Sequence, residues 1–437
     1  MQDNFKETEI GFIPVDWDIK TVDNIKSKNH HSIAMGPFGS DITKDNFVSE
    51  GIPVIRGVNL GEFKFNEDKF VYLTKEKANK LKASNAFPKD IVITHRGTLG
   101  QVGIIPENSK YSRYVVSQSQ MKLTCNEEIM NPYFMFYFLK SKLGQYLLLM
   151  NTSQTGVPAI ARPTSSLKEI KVMVPPISEQ NSIVNFLKSL DSKIELNQHM
   201  NQTLEEIGRA IFKHWFVDFE FPDEQGRPYK SSGGEMVDSE LGKIPTGWEL
   251  KPLDKIANFL NGLALQKYPP MRGGQFLPVI KIRELKQGIT QSTDKASHEI
   301  PQEYIINDGD VLFSWSGSLE LVLWCGGLGA LNQHLFKVTS DNFPKWFYFY
   351  QINENLPRFR EIAAGKATTM GHIQRHHLSE TLVAVPPLKL MKRADELIGP
   401  LIDSVINKNI QSHNLSSIRD SLLPKLMSGK IRVKGDE

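Results

Sequence analysis

The chain has 437 residues, with 52 Lys+Arg against 49 Asp+Glu for a formal net charge of +3, which at about 100–200 residues per domain leaves room for two to four domains, two being the simplest reading. Its 40% apolar, 23% charged and 9% aromatic residues exclude a disordered chain or a fibre. Two cysteines, Cys125 and Cys325, exclude a disulfide framework, no CxxC pair suggests zinc, and a reducing cytoplasm is the expected compartment.

The opening residues Met1 to Glu7 carry no apolar core of a signal peptide. No run of about 18 apolar residues occurs, so no membrane span is expected. The first block to note is Gly11-Phe12-Ile13-Pro14-Val15-Asp16-Trp17. Short β-branched runs follow, among them Pro53-Val54-Ile55-Arg56, Ile91-Val92-Ile93-Thr94 and Val115-Val116. Gly, Pro and Asn bound them, as turns bound strands. The aromatic stretch from Pro132 to Leu149, with Phe134, Tyr137, Phe138 and Leu139, predicts a helix buried on one face. A strand then runs into Val174-Pro175-Pro176, where a helix can begin. Beyond it Ile183, Leu187, Leu190, Ile194, Asn197, Asn201, Leu204, Gly208, Ile211 and Trp215 alternate at spacings of four and three, and no proline interrupts before Pro222. That is a heptad seam with two asparagines at its middle. From Glu179 to Trp215 it predicts a rod of roughly 55 Å.

From Gly242 the blocks return in the same order. Gly242-Lys243-Ile244-Pro245-Thr246-Gly247-Trp248 repeats the first, and Pro278-Val279-Ile280-Lys281 repeats Pro53 to Arg56. Asp310-Val311-Leu312-Phe313, followed by Gly317-Ser318-Leu319, answers Asp90-Ile91-Val92-Ile93, followed by Gly97-Thr98-Leu99. Asn332-Gln333 answers Ser117-Gln118, Trp346 to Tyr350 answers Phe134 to Phe138, and Val385-Pro386-Pro387 answers Val174-Pro175-Pro176. A constant order with drifting spacing is a duplicated domain whose loops vary. The rod returns too: Ala394, Ile398, Leu401, Val405, Ser412, Leu415 and Leu422 fall on matching positions, and Ile402, Ile406, Ile410 and Ile418 widen the stripe. Pro400 lies inside it and predicts a kink or a delayed start.

A lone amphipathic rod must bury its stripe, and its own duplicate is the nearest partner; the alternative packs each helix on its own globular domain. The expected fold class is α+β: two similar mixed α/β domains joined by two long antiparallel helices forming a coiled coil. The boundaries are 1–177 for the first domain, 178–217 for the central helix, 218–241 for a linker, 242–387 for the second domain, 388–428 for the second helix and 429–437 for a tail. A pseudo-twofold axis across the rods would place the two heads at opposite ends, as a ruler. Such spacing suits DNA, whose half-sites recur at about 34–36 Å or its multiples. Lengthening the rods by a turn should then change the spacer.

Two variable domains, each opening on G-x-I-P-x-x-W and closing on Val-Pro-Pro before a long helix, resemble the specificity subunit of a type I restriction-modification system. Pro175-Pro176-Ile177-Ser178-Glu179-Gln180, the rod and Trp215-Phe216-Val217-Asp218-Phe219 are similar to that family's central conserved region. Ser421-Leu422-Leu423-Pro424-Lys425-Leu426-Met427-Ser428-Gly429-Lys430-Ile431 is similar to its C-terminal block. The second copy departs from the pattern with Leu388-Lys389-Leu390 where the first has Ile177-Ser178-Glu179. The resemblance implies two target recognition domains reading a split double-stranded DNA site. It implies assembly with two adenine methyltransferase subunits and with ATP-driven endonuclease/translocase subunits, S-adenosylmethionine, ATP and magnesium belonging to those partners.

The chain itself shows no catalytic constellation. Asn131-Pro132-Tyr133-Phe134 lacks the second proline of the adenine methyltransferase Asn-Pro-Pro-Tyr element, and its repeat partner Asn342-Phe343-Pro344 makes it a helix start. No G-x-x-x-x-G-K-[ST] loop exists. Glu62-Phe63-Lys64, half of a nuclease Glu-x-Lys pair, has no equivalent in the second copy. His372, His376 and Glu380 have metal-like spacing, but Pro158 and Pro163 break the equivalent stretch of the first copy.

Phosphates are met by Lys, Arg and small polar donors, and base edges by Arg, Lys, Asn, Gln, Ser and Thr. In the first copy the candidates are Arg56 and Asn59, the loop with His95, Arg96 and Thr98, then Gln118 and Gln120, and finally Thr155 with Arg162. In the second they are Lys281 and Arg283, Ser316 and Ser318, Gln333 and His334, and Lys366 with Thr368. Gly97 and Gly317 allow close backbone approach or positive φ. A net charge of +3 is small for a stand-alone DNA binder, so tight binding is expected only in company. The function these readings point to is a non-catalytic DNA-recognition and scaffold subunit. A duplicated protein-binding adaptor without DNA, and an unrecognised methyltransferase or nuclease, are the alternatives.

Overall fold

The computed structural model describes residues 4–153, 156–271, 273–365 and 371–433. It divides into two compact units: Met1–Ser192 with Ser416–Glu437, and Lys193–Leu415. Both boundaries fall inside long helices, so each unit is one domain plus part of each helix.

The two domains share one strand plan. Unit 1 opens with the hairpin Phe5–Thr8 and Gly11–Pro14, and unit 2 with Met236–Ser239 and Gly242–Pro245. Asp18–Thr21 pairs antiparallel with Lys171–Val174, the last strand before the Pro-Pro pair, and Glu249–Pro252 pairs likewise with Leu382–Val385. The central sheet of unit 1 runs Val102–Ile104, Ile91–Thr94, Gln120–Leu123, Ile33–Met35. Its counterpart in unit 2 runs Leu321–Leu323, Val311–Ser314, Leu335–Thr339, Asn258–Asn261. A second sheet in each holds one parallel pair, Val54 opposite Val115 and Val279 opposite Ala330.

The central strands read as unbroken apolar runs because both faces are covered. Side chains alternate across a strand: Ile91 and Ile93 enter the main core of unit 1, while Val92 enters a smaller one with Ile55 and Tyr114. Val311 and Phe313 are separated from Leu312 in the same way in unit 2.

The stretch Pro132–Leu149 is not one helix buried on one face. It forms Pro132–Lys140 and Lys142–Leu149, and Phe134 through Leu139 are all buried. Ser141 makes the break, since its hydroxyl accepts the Gly144 N–H (3.1 Å) and offers the backbone an alternative to helix continuation. Gly144 is required there, because a Cβ would stand 1.9 Å from the Phe138 carbonyl oxygen. Asn131 caps the first helix, accepting from the Tyr133 N–H (2.9 Å). Unit 2 has a single helix here, Lys345–Ala364.

The long helices are Ile177–Phe212, closed by a wider turn at Lys213–Val217, and Leu388–Met427. At 1.5 Å per residue they extend about 54 and 60 Å. Pro400 neither delays nor stops the second. It is exposed, so only one N–H bond is lost and the freed carbonyl faces water. The helices run antiparallel. In unit 1, Ile183 and Leu187 pack with Leu423, Leu426 and Met427, and Leu190 and Leu422 are half-buried. In unit 2, Phe212 shares a core with Ile398, Ile402 and Ile406. Ile194 and Val405 are buried, and Leu204, Ile211, Leu401 and Leu415 are half-buried. Ile418 is exposed, and Arg419 takes the inward position beside it.

The buried asparagines find partners on the opposite helix. Asn197 Nδ2 donates to Gln411 Oε1 (2.8 Å) and Ser412 Oγ (3.3 Å). Asn201 Nδ2 donates to Asn409 Oδ1 (2.7 Å) and the Val405 carbonyl (3.3 Å). Both Nδ2 groups are thus satisfied in this register, while the buried Asn197 Oδ1 and Asn201 Oδ1 have no partner.

Candidate nucleic-acid interface

In unit 1, four loops are tied together at one end of the central sheet. His95 N–H donates to the Ser119 carbonyl (2.9 Å), and Ile160 N–H returns to the His95 carbonyl (2.9 Å). Gly97 N–H donates to the Pro158 carbonyl (2.8 Å), and Gly36 N–H to the Gln120 carbonyl (2.8 Å). Unit 2 makes the same four bonds. Trp315 donates to His334 (3.3 Å), Ile373 to Trp315 (2.9 Å), Gly317 to Gly371 (2.8 Å) and Gly262 to Leu335 (3.1 Å). Gly97 and Gly317 hold φ of +91° and +65°, a region that favours glycine. The scaffold is thus one design built twice, with different side chains set on it.

Within the unit 1 junction, Arg96, Thr98, Gln118 and Arg162 are exposed. Arg162 is a non-glycine residue at φ +44°, starting the helix Pro163–Glu169. His95 and Gln120 are buried inside the junction rather than displayed. His95 Nε2 meets the Gln118 carbonyl (3.1 Å), and burial pulls its pKa below the ordinary 6.5 despite that bond. Gln120 Nε2 donates to Thr94 Oγ1 (3.2 Å), and its carbonyl accepts from the Ser117 hydroxyl.

Asn59 is fully buried. Its amide accepts from Arg56 N–H (2.9 Å) and donates to the carbonyls of Asn66 (3.1 Å) and Asp68 (2.9 Å), so it closes the 56–69 loop and has no face for a base. Arg56 is half-buried, donating through Nη2 to the Lys69 carbonyl (2.7 Å) while its buried Nε has no partner. With Lys44, Gln118 and Ser119 it lines a cleft of 380 Å³. Thr155 lies outside the described residues.

In unit 2, Ser316 is buried, and its hydroxyl lies 3.1 Å from His334 Nδ1. Gln333 and His334 are half-buried, and Ser318 is exposed beside a 470 Å³ cleft shared with Glu320 and Arg360. Lys281 and Arg283 are both engaged by acceptors of their own domain. Lys281 pairs with Asp294, whose carboxyl it holds below the usual range. Arg283 donates to the buried Glu284 carboxylate (2.7 and 2.9 Å) and to the Ser292 carbonyl (3.0 Å). Lys366 and Thr368 lie outside the described residues.

Within the loop that carries Ser316 and Ser318 stands Trp315. Its indole N–H donates to Asn261 Oδ1 (2.8 Å) and the Gln333 carbonyl (3.1 Å), and its ring lies 5.5 Å from that of His334 and 6.4 Å from that of His372. It binds the strand leading to Gly262 into the junction. Trp315 answers His95 in the repeat and makes the same backbone bonds, but it is half-buried where His95 is buried. His372 is held in this junction by pairing with Ser316, not on the short helix Arg375–Ser379. No group of three metal-ligating side chains occurs among the described residues. Nor is any described helix long and apolar enough to cross a membrane.

The chain matches the family model described as the type I restriction modification DNA specificity domain twice, over residues 36–206 and 245–418. It is 28% identical over 450 residues to the type I restriction enzyme MjaIX specificity subunit of Methanocaldococcus jannaschii, covering 98% of this chain and 97% of that protein. To the type I restriction enzyme HindI specificity subunit of Haemophilus influenzae it is 23% identical, covering 91% and 98%. Its fold resembles the crystal structure of the type-I restriction-modification system S subunit from M. genitalium, with a TM-score of 0.58 at 16% identity, over 98% of this chain and 97% of that one.

Proposed function

Since the chain belongs to the family of type I restriction modification DNA specificity domains, we propose that it is the non-catalytic subunit that reads a bipartite double-stranded DNA target, one half-site per recognition domain. The domains are residues 1–177 and 242–387, and the loops gathered at the two junctions are the reading surfaces. The observation that carries this is the four-bond junction built twice with different side chains: one frame presenting two chemistries suits two unlike half-sites. Arg96, Gln118 and Arg162 serve the first half-site, and Ser318, Gln333 and His334 the second.

The chain acts in the cytoplasm and scaffolds two methyltransferase subunits and the endonuclease/translocase subunits. It carries no cofactor; S-adenosylmethionine, ATP and magnesium act on those partners. With a net charge of only +3, it leaves much of the phosphate neutralisation to them. The test is to co-express it with its methyltransferase subunits and map the methylated sites. Exchanging residues 242–387 for those of a relative should change one half of the mapped target and leave the other. Unchanged sites, or loss of both halves in a complex that still assembles, would refute the assignment.

A further inference from the structure

At the unit 1 junction one aromatic side chain stands in water. Phe38 is 73% exposed, yet the backbone that carries it is held on every side. Pro37 before it is buried, and its ring fixes φ. A Cβ on Gly36 would come 1.9 Å from the Ser117 carbonyl oxygen, so only glycine lets this turn lie against the Ser117–Gln120 loop. Asp41 N–H donates to the Phe38 carbonyl (2.8 Å) and closes the turn. A Cβ on Gly39 would stand 3.0 Å from Gln118 Oε1, so the turn that carries Phe38 passes beside the exposed Gln118.

A loose loop would fold this ring onto the domain, because burying it removes apolar surface from water. The anchored turn prevents that. Unit 2 pins Gly262 in the same way, a Cβ there meeting the Asn332 carbonyl oxygen at 2.3 Å. Its segment then turns Leu265 into a core, and Tyr268, the one aromatic between Gly262 and Met271, is half-buried. The exposed ring belongs to one unit alone.

We propose that Phe38 is an apolar wedge that inserts against a base step in the half-site read by unit 1, a contact unit 2 does not make. This rests on the DNA-recognition reading above. Every base offers a π-face to an aromatic ring. A ring pushed between two bases partly unstacks them, most readily at pyrimidine–purine steps. The wedge thereby senses the deformability of a step that forms no hydrogen bond with the protein.

The experiment uses the assembly with methyltransferase subunits and a target duplex defined by the methylation map of the wild type. The 242–387 exchange identifies which half-site belongs to unit 1. 2-Aminopurine, whose fluorescence rises on unstacking, is placed at successive positions of each half. The wild type should raise fluorescence at one step of the unit 1 half-site only. Phe38→Ala should abolish that rise and weaken target binding by roughly tenfold or more, with binding to a target-free duplex within about twofold; Phe38→Leu, still apolar, should keep part of both. Normal wild-type binding that Phe38→Ala leaves unmoved, or a loss of equal size on target-free DNA, overturns the wedge alone. Failure of the wild-type assembly to bind its target selectively overturns the recognition reading and the wedge with it.

Discussion

Asp191→Ala tests how unit 1 holds the end of the second long helix. Asp191 sits on the first helix and receives the Tyr137 hydroxyl at 2.6 Å and Arg419 Nη1 at 2.9 Å. The Arg419 side chain is 6% exposed and its guanidinium lies 3.6 Å from the centre of the Phe63 ring. Burial, reinforced by the Asp191 carboxylate, pushes the Tyr137 phenol well above its ordinary range. Removing the carboxylate leaves a buried cation and a buried hydroxyl short of partners. Breaking a buried pair from one side costs about 3–5 kcal/mol. Arg419 keeps a bond to the exposed Asp420 (2.9 Å), so the expected loss is near the lower end, about 3 kcal/mol. For a unit of this size that lowers the melting temperature by about 6–12 °C. Calorimetry of the full chain reads the shift, and hydrogen exchange of the amides in 132–140 and 416–427 assigns it to unit 1. The triple variant Tyr137→Phe, Asp191→Leu, Arg419→Met removes all three of these side chains, leaving only the exposed Asp420, and should recover most of the loss, since apolar isosteres of a buried ion pair are often neutral. A triple variant as unstable as the single, or a shift under about 2 °C for Asp191→Ala, would refute the reasoning.

Two further predictions concern pH. Burial holds the His95 imidazole below its ordinary 6.5, so the unfolded chain takes up a proton that the folded one resists. Stability of unit 1 should therefore fall as pH drops through about 6.5. His95→Gln should flatten that acid slope in urea midpoints, and an unchanged slope counts against the buried neutral ring. Burial also holds the Lys140 ammonium down to about 8 from 10.5, with Glu62, Asp191 and Arg419 as the neighbouring charges. Between about pH 8 and 10.5 the unfolded chain carries a proton the folded one lacks, so stability should rise with pH across that window. Lys140→Met should abolish the rise and lift the melting temperature at pH 7; a lowered melting temperature would mean that its bond to the Gly61 carbonyl (3.3 Å) outweighs its desolvation.

The duplication and the helical rods are legible in the residues alone. Both are written in local order: the Gly-x-Ile-Pro-x-x-Trp blocks, the Val-Pro-Pro pairs and a four-three apolar spacing recur wherever the same backbone must be built. Asn197 and Asn201 were visible as polar breaks in the seam, though not their partners Gln411, Ser412 and Asn409, which come from the other end of the chain. Which polar side chains are free to meet a ligand depends on contacts made across the fold. Asn59, His95 and Gln120 have the right chemistry for reading bases, but each is buried with its polar atoms bonded inside the domain. Composition cannot separate such residues from Gln118 and Arg96, because satisfaction of a polar group depends on which backbone carbonyls arrive beside it. The same holds for Ser141, which divides a helix that periodicity would continue, and for Pro400, which a helix absorbs because it faces water. Phe38 reads in sequence as one more apolar residue. Its exposure follows from Gly36 lying against the Ser117 carbonyl, a close approach between segments about eighty residues apart that no local pattern encodes.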